Sequence, residues 1–213
     1  MKVKNLLFSG LVFSITIQIS LAQESRKLDA NDEHWSAYNR EVTYEKGVIY
    51  LDAKSNDGLL WLNNTDFTNG AIELDIKGKN ERGRSFVGIA FHGQDNQTFD
   101  GVYFRPFNFS SSERKNYSVQ YIYMPEYDRK KLRHQFPGKY ESSIASPPAA
   151  DEWFRAKIVV KDSSIKVYVN NSTSPSLEVN KISELQSGKI GLWVGNGSDG
   201  WFKNVKVNPN RFE

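Results

Sequence analysis

Four polar side chains in the middle of the chain hold most of its usable chemistry: His92, Arg105, Gln120 and Arg133. A histidine titrates near neutrality, so His92 can give or take a proton as a general acid or base. Arg105 follows Phe104 and precedes Pro106. Its planar five-donor guanidinium suits a carboxylate, a sulfate or a pair of hydroxyls. Gln120, between Val119 and Tyr121, brings an amide that matches vicinal hydroxyls. Tyr103, Tyr121, Tyr123, Tyr140, Trp153 and Trp193 add flat faces for stacking. Each of these residues also has an ordinary structural use: a neutral histidine at a strand end, an arginine in a cross-sheet salt bridge, an inter-sheet amide bond, or core packing.

Composition removes other chemistries. The chain has 213 residues, no Cys and three His (His34, His92, His134). That excludes disulfides, thiolate zinc sites, a thiol nucleophile and an acylated-cysteine lipoprotein anchor. A His-rich metal centre is equally out of reach. With 28 basic and 25 acidic residues the net charge is +3, which gives no footprint for nucleic acid.

The elements that must position these groups are strands. Val48–Asp52, Gly58–Leu62, Gly70–Ile76, Ser85–His92 and Val102–Arg105 are short runs rich in β-branched and aromatic residues. Ser118–Met124, Phe154–Lys161, Ile165–Asn170, Lys189–Val194 and Trp201–Val207 continue the series. Turn residues separate them, as in Asn56-Asp57-Gly58 and Asn69-Gly70. The one helix candidate, Glu126–Gln135, is highly charged and flanked by Pro125 and Pro137, so it reads as a surface excursion. The pattern predicts an all-β, two-sheet antiparallel jelly-roll sandwich over residues 48–213, with residues 23–47 as a lead-in.

Alternation assigns faces, because successive strand side chains point to opposite sides. Val87, Ile89 and Phe91 share one face of their strand, which puts His92 on the other. Tyr103 and Arg105 oppose Val102 and Phe104, and Trp193 opposes Leu192 and Val194. The expectation is one cleft holding His92, Tyr103, Arg105 and Gln120. The Glu126–Tyr140 excursion would wall it and bring Arg133 and Tyr140 to its mouth, while two or so of the aromatics would touch a ligand.

Phe86-Val-Gly-Ile-Ala-Phe-His-Gly-Gln-Asp95, Asp100-Gly-Val-Tyr-Phe-Arg-Pro106 and Val119-Gln-Tyr-Ile122 resemble secreted proteins of the concanavalin A-like lectin/glucanase superfamily. Trp153-Phe-Arg-Ala-Lys-Ile-Val-Val160, Gly188-Lys-Ile-Gly-Leu-Trp193 and Phe202-Lys-Asn-Val205 extend the likeness. Within that group the chain is most similar to bacterial laminin G-like and 3-keto-disaccharide hydrolase-like jelly-roll domains. The resemblance implies a carbohydrate-active protein that binds a glycan or oligosaccharide on a concave sheet, at His92, Tyr103, Arg105, Gln120, Tyr121, Tyr123, Arg133, Tyr140 and Trp193. The alternatives it leaves open are a glycoside hydrolase or lyase, with His92 as the catalytic candidate, and a non-catalytic interaction domain. Retaining laminarinase-type members carry two glutamates on one strand; here Glu73 and Asp75 match the start of that motif, but Gly78 replaces the second glutamate. The resemblance implies no organic cofactor. It allows a structural Ca²⁺, for which Asp29, Asp32 and Asp199 are weak candidates in polar loops.

Residues 1–22 have the plan of a signal peptide: Lys2 and Lys4, an apolar stretch from Leu6 to Leu21, then Ser20-Leu21-Ala22 as a cleavage site. Cleavage after Ala22 would release a secreted or periplasmic protein with balanced charge and no membrane span. Seven Asn-x-Ser/Thr triplets begin at Asn63, Asn96, Asn108, Asn116, Asn170, Asn171 and Asn196. The short Lys-led leader is of bacterial type, so these are read as chance.

Overall fold

A computed structural model describes residues 26–27 and 32–209. The strands are β1 (Arg26–Lys27), β2 (Trp35–Tyr38), β3 (Val42–Glu45), β4 (Val48–Leu51), β5 (Gly58–Leu62), β6 (Gly70–Lys77), β7 (Val87–Gly93) and β8 (Phe99–Phe104). They continue with β9 (Val119–Met124), β10 (Glu141–Ser142), β11 (Phe154–Lys161), β12 (Ser164–Val169), β13 (Leu177–Asn180), β14 (Lys189–Val194) and β15 (Gly200–Pro209). Among the described residues one α-helix, α1 (Arg129–Gln135), stands out from the sheets after β9, its first turn capped by the Asp128 side chain accepting from the Lys131 amide at 2.8 Å.

The strands form two antiparallel sheets packed face to face as a jelly roll. One runs β13-β12-β11-β6-β15-β4-β3, with β1 paired to β15. The other runs β10-β9-β8-β7-β14-β5-β2. The core between them is built from the alternating apolar sets: Ile72, Leu74, Ile76, Ala156, Ile158 and Val160 from one sheet meet Val87, Ile89, Val102, Phe104, Leu192 and Val194 from the other, all at most 1% exposed. Phe104 and Phe154 cross the interface edge to face at 4.9 Å.

The sandwich begins upstream of Val48. Residues expected as a lead-in supply β1, β2 and β3, and the last two close the edges of the two sheets. Their runs of four residues or fewer, broken by Asn39-Arg40 and Lys46-Gly47, lack the apolar density that marks a central strand. The expected signal peptide, residues 1–22, and Asp29 lie outside the described residues. No helix among the described residues is long and apolar enough to cross a membrane.

Candidate functional site

Strand register places one row of side chains across the whole outer face of the seven-stranded sheet. Tyr38 pairs with Leu59, Leu59 with Trp193, Trp193 with Gly88, Gly88 with Tyr103, Tyr103 with Gln120 and Gln120 with Glu141. The next row on that face is Ser36, Trp61, Gly191, Ala90, Gly101 and Ile122. The small residues are there for a reason. A Cβ at Gly191 would sit 2.6 Å from the Trp61 ring, and one at Gly88 would sit 2.2 Å from the Val102 carbonyl oxygen. Glycine therefore lets the rings lie flat on the sheet and lets β7 and β8 close beneath Tyr103.

The result is a cleft of about 520 Å³ with an aromatic floor. Phe86, Tyr103 and Trp193 form the floor, Asp57 and Asn196 one wall, and Asp128 and Arg129 at the start of α1 the other. The Tyr103 and Trp193 rings are 5.1 Å apart and tilted by 51°, and Phe86 meets Tyr103 edge on at 6.1 Å. A second hollow of about 630 Å³ shares Asp57 and Met124 with the first and runs on past Asn96, Phe99 and Tyr38. Trp61 donates to Asn96 Oδ1 at 2.8 Å along this extension.

Asp57 is the residue that the sequence pattern does not single out, because it lies in an ordinary Asn-Asp-Gly turn. Burial raises its carboxyl pKa, and the Asn196 backbone N–H, the Trp193 indole and the Arg40 charge only partly offset that rise. Asp57 Oδ1 accepts from the Asn196 amide at 3.1 Å. Trp193 Nε1 faces Asp57 without closing a hydrogen bond of normal length and is left buried and unpartnered. The cleft thus places a carboxyl of raised pKa beside an indole N–H that closes no hydrogen bond of its own.

Arg105 lies on the outer face as alternation predicts, but it is only 2% exposed. It donates to Tyr103 Oη, to Gln120 Oε1 and, at 2.7 Å, to the Tyr117 carbonyl, and it stands 3.7 Å from Glu141. Its guanidinium also lies 4.7 Å from the Tyr103 ring centroid. Burial lowers the Arg105 pKa and raises that of Tyr103, so the hydroxyl stays protonated and donates to Gln120 Oε1 at 3.1 Å. These bonds fix Gln120 Oε1 toward Arg105 and leave Gln120 Nε2 without a partner. Arg105 is therefore a positioning residue that holds Tyr103 and Gln120, with no free fork for a ligand.

His92 is not in the cleft. Between Gly93–Lys189 and Ala90–Gly191 the register shifts, so that Phe91 and His92 together oppose Ile190. His92 takes a left-handed conformation, φ 51°, and this β-bulge breaks the alternation and turns its ring inward. Nδ1 meets Asp100 Oδ2 at 2.9 Å and Nε2 meets the Thr68 carbonyl at 2.8 Å. Tyr121 is also on the core side, donating to Asp100 Oδ1 at 2.6 Å, and Ser183 donates to Asp100 Oδ2 at 2.8 Å. Burial and the neighbouring Asp100 raise the Tyr121 pKa. His92, Asp100 and Tyr121 are all 0% exposed, so this network meets no ligand.

The remaining candidates separate in the same way. Arg133 faces a neighbouring hollow, where it grips Glu141 with bonds of 2.6–2.9 Å and lies 4.2 Å over the Tyr117 ring. Tyr140 is 3% exposed and packs on Tyr121 and Phe136, and Tyr123 stacks on Tyr127. The excursion does wall the cleft, through Asp128 and Arg129 at the start of α1. Glu73 and Asp75 stand on the outer face of the other sheet, both bound by Arg155 and further held by Asn208 and Asn204. Of the Ca²⁺ candidates, Asp199 is instead bound to Lys79 at 2.6 Å and to Tyr50 Oη at 3.1 Å, and Asp32 opens a short 3-10 turn. Among the described residues no group of three or more His, Asp or Glu side chains is gathered to hold a metal.

The family model described as 3-keto-alpha-glucoside-1,2-lyase-like domain matches residues 25–208. Among solved structures the chain is similar to the carbohydrate-binding module CBM66 from Bacillus subtilis, at 17% identity, covering 82% of this chain and 95% of that one with a TM-score of 0.59. It is similar to a native glycosidic hydrolase at 13% identity, covering 89% and 97% with a TM-score of 0.62. It is also similar to the VIP36 exoplasmic/lumenal domain in its Ca²⁺/Man3GlcNAc-bound form, at 14% identity, covering 84% and 85% with a TM-score of 0.58. At these identities the likeness is one of fold: a concanavalin A-like jelly roll. No curated protein gives a significant sequence match.

Proposed function

For a chain that belongs to the 3-keto-alpha-glucoside-1,2-lyase-like domain family, matched over residues 25–208, we propose that the aromatic cleft of the seven-stranded sheet binds a short α-glucoside or its 3-keto derivative. One observation carries this: Trp193 lies tilted beside Tyr103 on the cleft floor, with its unpartnered indole N–H turned toward Asp57. A pyranose laid on those rings covers its C–H face with aromatic surface. One of its hydroxyls then accepts from Trp193 Nε1 and donates to Asp57, satisfying two groups that the free protein leaves poorly paired. The test is calorimetric titration with an α-linked glucose disaccharide. Trp193→Phe keeps a ring and loses the N–H, and should weaken binding roughly 2- to 10-fold, the scale of one neutral hydrogen bond. Trp193→Ala should remove binding. Unchanged affinity in both variants would place the ligand elsewhere.

The raised pKa of Asp57 favours a second reading of the same cleft, as a lyase. In a 3-keto-glucoside the ketone acidifies the C2 hydrogen. Asp57 would take that proton, the C–H electrons would form the C1=C2 bond, and the C1–O bond would break. The aglycone oxygen would leave with the bonding pair and take back from the Asp57 carboxyl the proton removed from C2. A base with a raised pKa is better matched to this work than an ordinary carboxylate. Arg129 on the facing wall supplies a positive charge for the oxygen at C3 as the enolate develops. The assay is appearance of the conjugated enone absorbance together with released aglycone, which Asp57→Asn should abolish while leaving binding in place. The leader at residues 1–22 goes with work outside the cytoplasm, and a mature N-terminus at Gln23 on sequencing would support that.

A further inference from the structure

The outer face of the eight-stranded sheet, on the far side of the sandwich from the cleft, has its own aromatic row. Thr43 on β3 pairs with Tyr50 on β4, Tyr50 with Trp201 on β15, and Trp201 with Lys77 on β6. Phe154 pairs with Ile76, so Trp153, one residue earlier, extends the row beside Lys77. Tyr50, Trp153 and Trp201 are all half-buried. The Tyr50 and Trp201 rings are 5.0 Å apart, and with Trp153 they border a hollow of about 400 Å³ whose rim also carries Glu45, paired with Lys46 at 3.4 Å. Aromatic rings of this size on the solvent side of a sheet are not required by the core, whose residues point the other way.

The charges around the rings indicate what fits. Lys203 Nζ lies 4.1 Å from the Trp153 ring centroid, and Lys77 Nζ lies 5.4 Å from that of Trp201. Neither ammonium forms an ion pair among the described residues, although the carboxylates nearest in register, Glu73 and Asp75, are present on the same face. Those two are taken by Arg155, with Asn204 and Asn208 as further donors. Lys79, the third cation near Trp201, is engaged by Asp199 at 2.6 Å. Among the described residues Lys77 and Lys203 therefore have no ion-pair partner, and their ammonium groups rest against aromatic rings.

We propose that this platform is a second carbohydrate-binding face, specific for an anionic polysaccharide. Ring faces of successive sugars stack on Trp201 and Trp153, and their carboxylates or sulfates pair with Lys77 and Lys203. A neutral sugar would leave both ammonium groups unmatched, and a flexible acidic peptide would leave the rings unmatched. The platform would hold the protein on an acidic polymer while the opposite cleft stays open to small glucosides. It stands on different residues from the cleft and does not depend on what the cleft does.

The full-length protein is run in native gels containing polygalacturonate, dextran sulfate or neutral dextran. Retardation by at least one anionic polymer and not by dextran is expected, and which of the two acts separates carboxylate from sulfate recognition. Trp201→Ala and Trp153→Ala should each weaken retardation several-fold, and Lys77→Gln with Lys203→Gln should do the same without touching a ring. Thermal melting checks that each variant is folded; the lysine variants, at half-exposed positions, keep the test valid if a tryptophan variant is not. Glucoside binding in the cleft should be unchanged in all of them. Equal retardation by neutral dextran, indifference of folded tryptophan variants, or displacement of the polymer by a single-stranded oligonucleotide at matched charge would each overturn the proposal.

Discussion

Removing the Asp100 carboxylate should unfold much of the margin on which this sandwich stands, whereas replacing it with an amide should not. Asp100 accepts three hydrogen bonds in a site with no solvent: from His92 Nδ1 at 2.9 Å, Tyr121 Oη at 2.6 Å and Ser183 Oγ at 2.8 Å. The other His92 nitrogen faces a second acceptor, the Thr68 carbonyl. His92 thus bridges two acceptors and ties Asp100 on β8 to Thr68 just ahead of β6. Asp100→Ala strands all three donors in a site closed to water. Each bond to a charged group is worth about 1.5–3 kcal/mol, but the three share one carboxylate and do not add. A buried donor left unsatisfied costs about 1–3 kcal/mol, so a joint loss of about 3–5 kcal/mol for the three is the working value. In Asp100→Asn the amide oxygen still accepts from Tyr121, and the amide nitrogen donates to His92 Nδ1 while Nε2–H donates to the Thr68 carbonyl, so that only the Ser183 bond is lost. That loss should stay near or below about 1.5 kcal/mol, one neutral hydrogen bond. Urea unfolding followed by tryptophan fluorescence reads both. At a slope of about 2 kcal/mol per molar, the alanine variant should lose roughly 2 M in its midpoint and the asparagine variant well under 1 M. An alanine loss below about 1 kcal/mol, or an asparagine variant as damaged as the alanine one, would refute the hydrogen-bonded network. Cleft binding retained in the folded asparagine variant would confirm that His92 and Asp100 serve structure alone.

Asp57→Asn should separate stability from activity. A carboxyl with a raised folded pKa binds its proton more tightly in the native state, so its contribution to stability falls as pH rises from the unfolded value of about 3.9 through the folded one. The variant should therefore be more stable than the parent at pH 7.5, with the advantage gone below about pH 4, as urea midpoints at the two pH values would show. Arg105→Met should cost about 3–5 kcal/mol, because Gln120, Tyr103 and Glu141 lose a buried cation, and Arg105→Lys should recover only part because an ammonium cannot meet three directions in one plane. A fully stable methionine variant with weakened ligand binding would instead make Arg105 a direct ligand contact.

The strand plan was legible because it depends on local rules. Gly58–Leu62, Phe154–Lys161 and Lys189–Val194 are strands with the bounds that alternation and turn residues mark out. The edge strands β1, β2, β3, β10 and β13 were not legible, since an edge needs little apolar content of its own once a neighbour supplies its hydrogen bonds. The aromatic floor was half legible. Tyr103 and Trp193 were assigned to the ligand side, but Trp61 and Phe86 acquire their roles only from the glycines that neighbouring strands place beneath or beside them.

Sequence by itself determined the two-sheet class, the sidedness of Tyr103, Arg105, Gln120 and Trp193, and the absence of thiol chemistry. Each of these follows from residue type and a two-residue period, which need no partner. Tertiary structure alone decided that His92 turns inward, because a bulge is a mismatch of count between β7 and β14 and neither strand records it alone. It decided that Arg105 is closed off, because Tyr103, Gln120, Tyr117 and Glu141 come from four separate segments. It also decided that a turn aspartate has its pKa raised. Asp57 is changed by burial beside Trp193 and Asn196, some 140 residues away in the chain, and desolvation is a property of what surrounds a group in space.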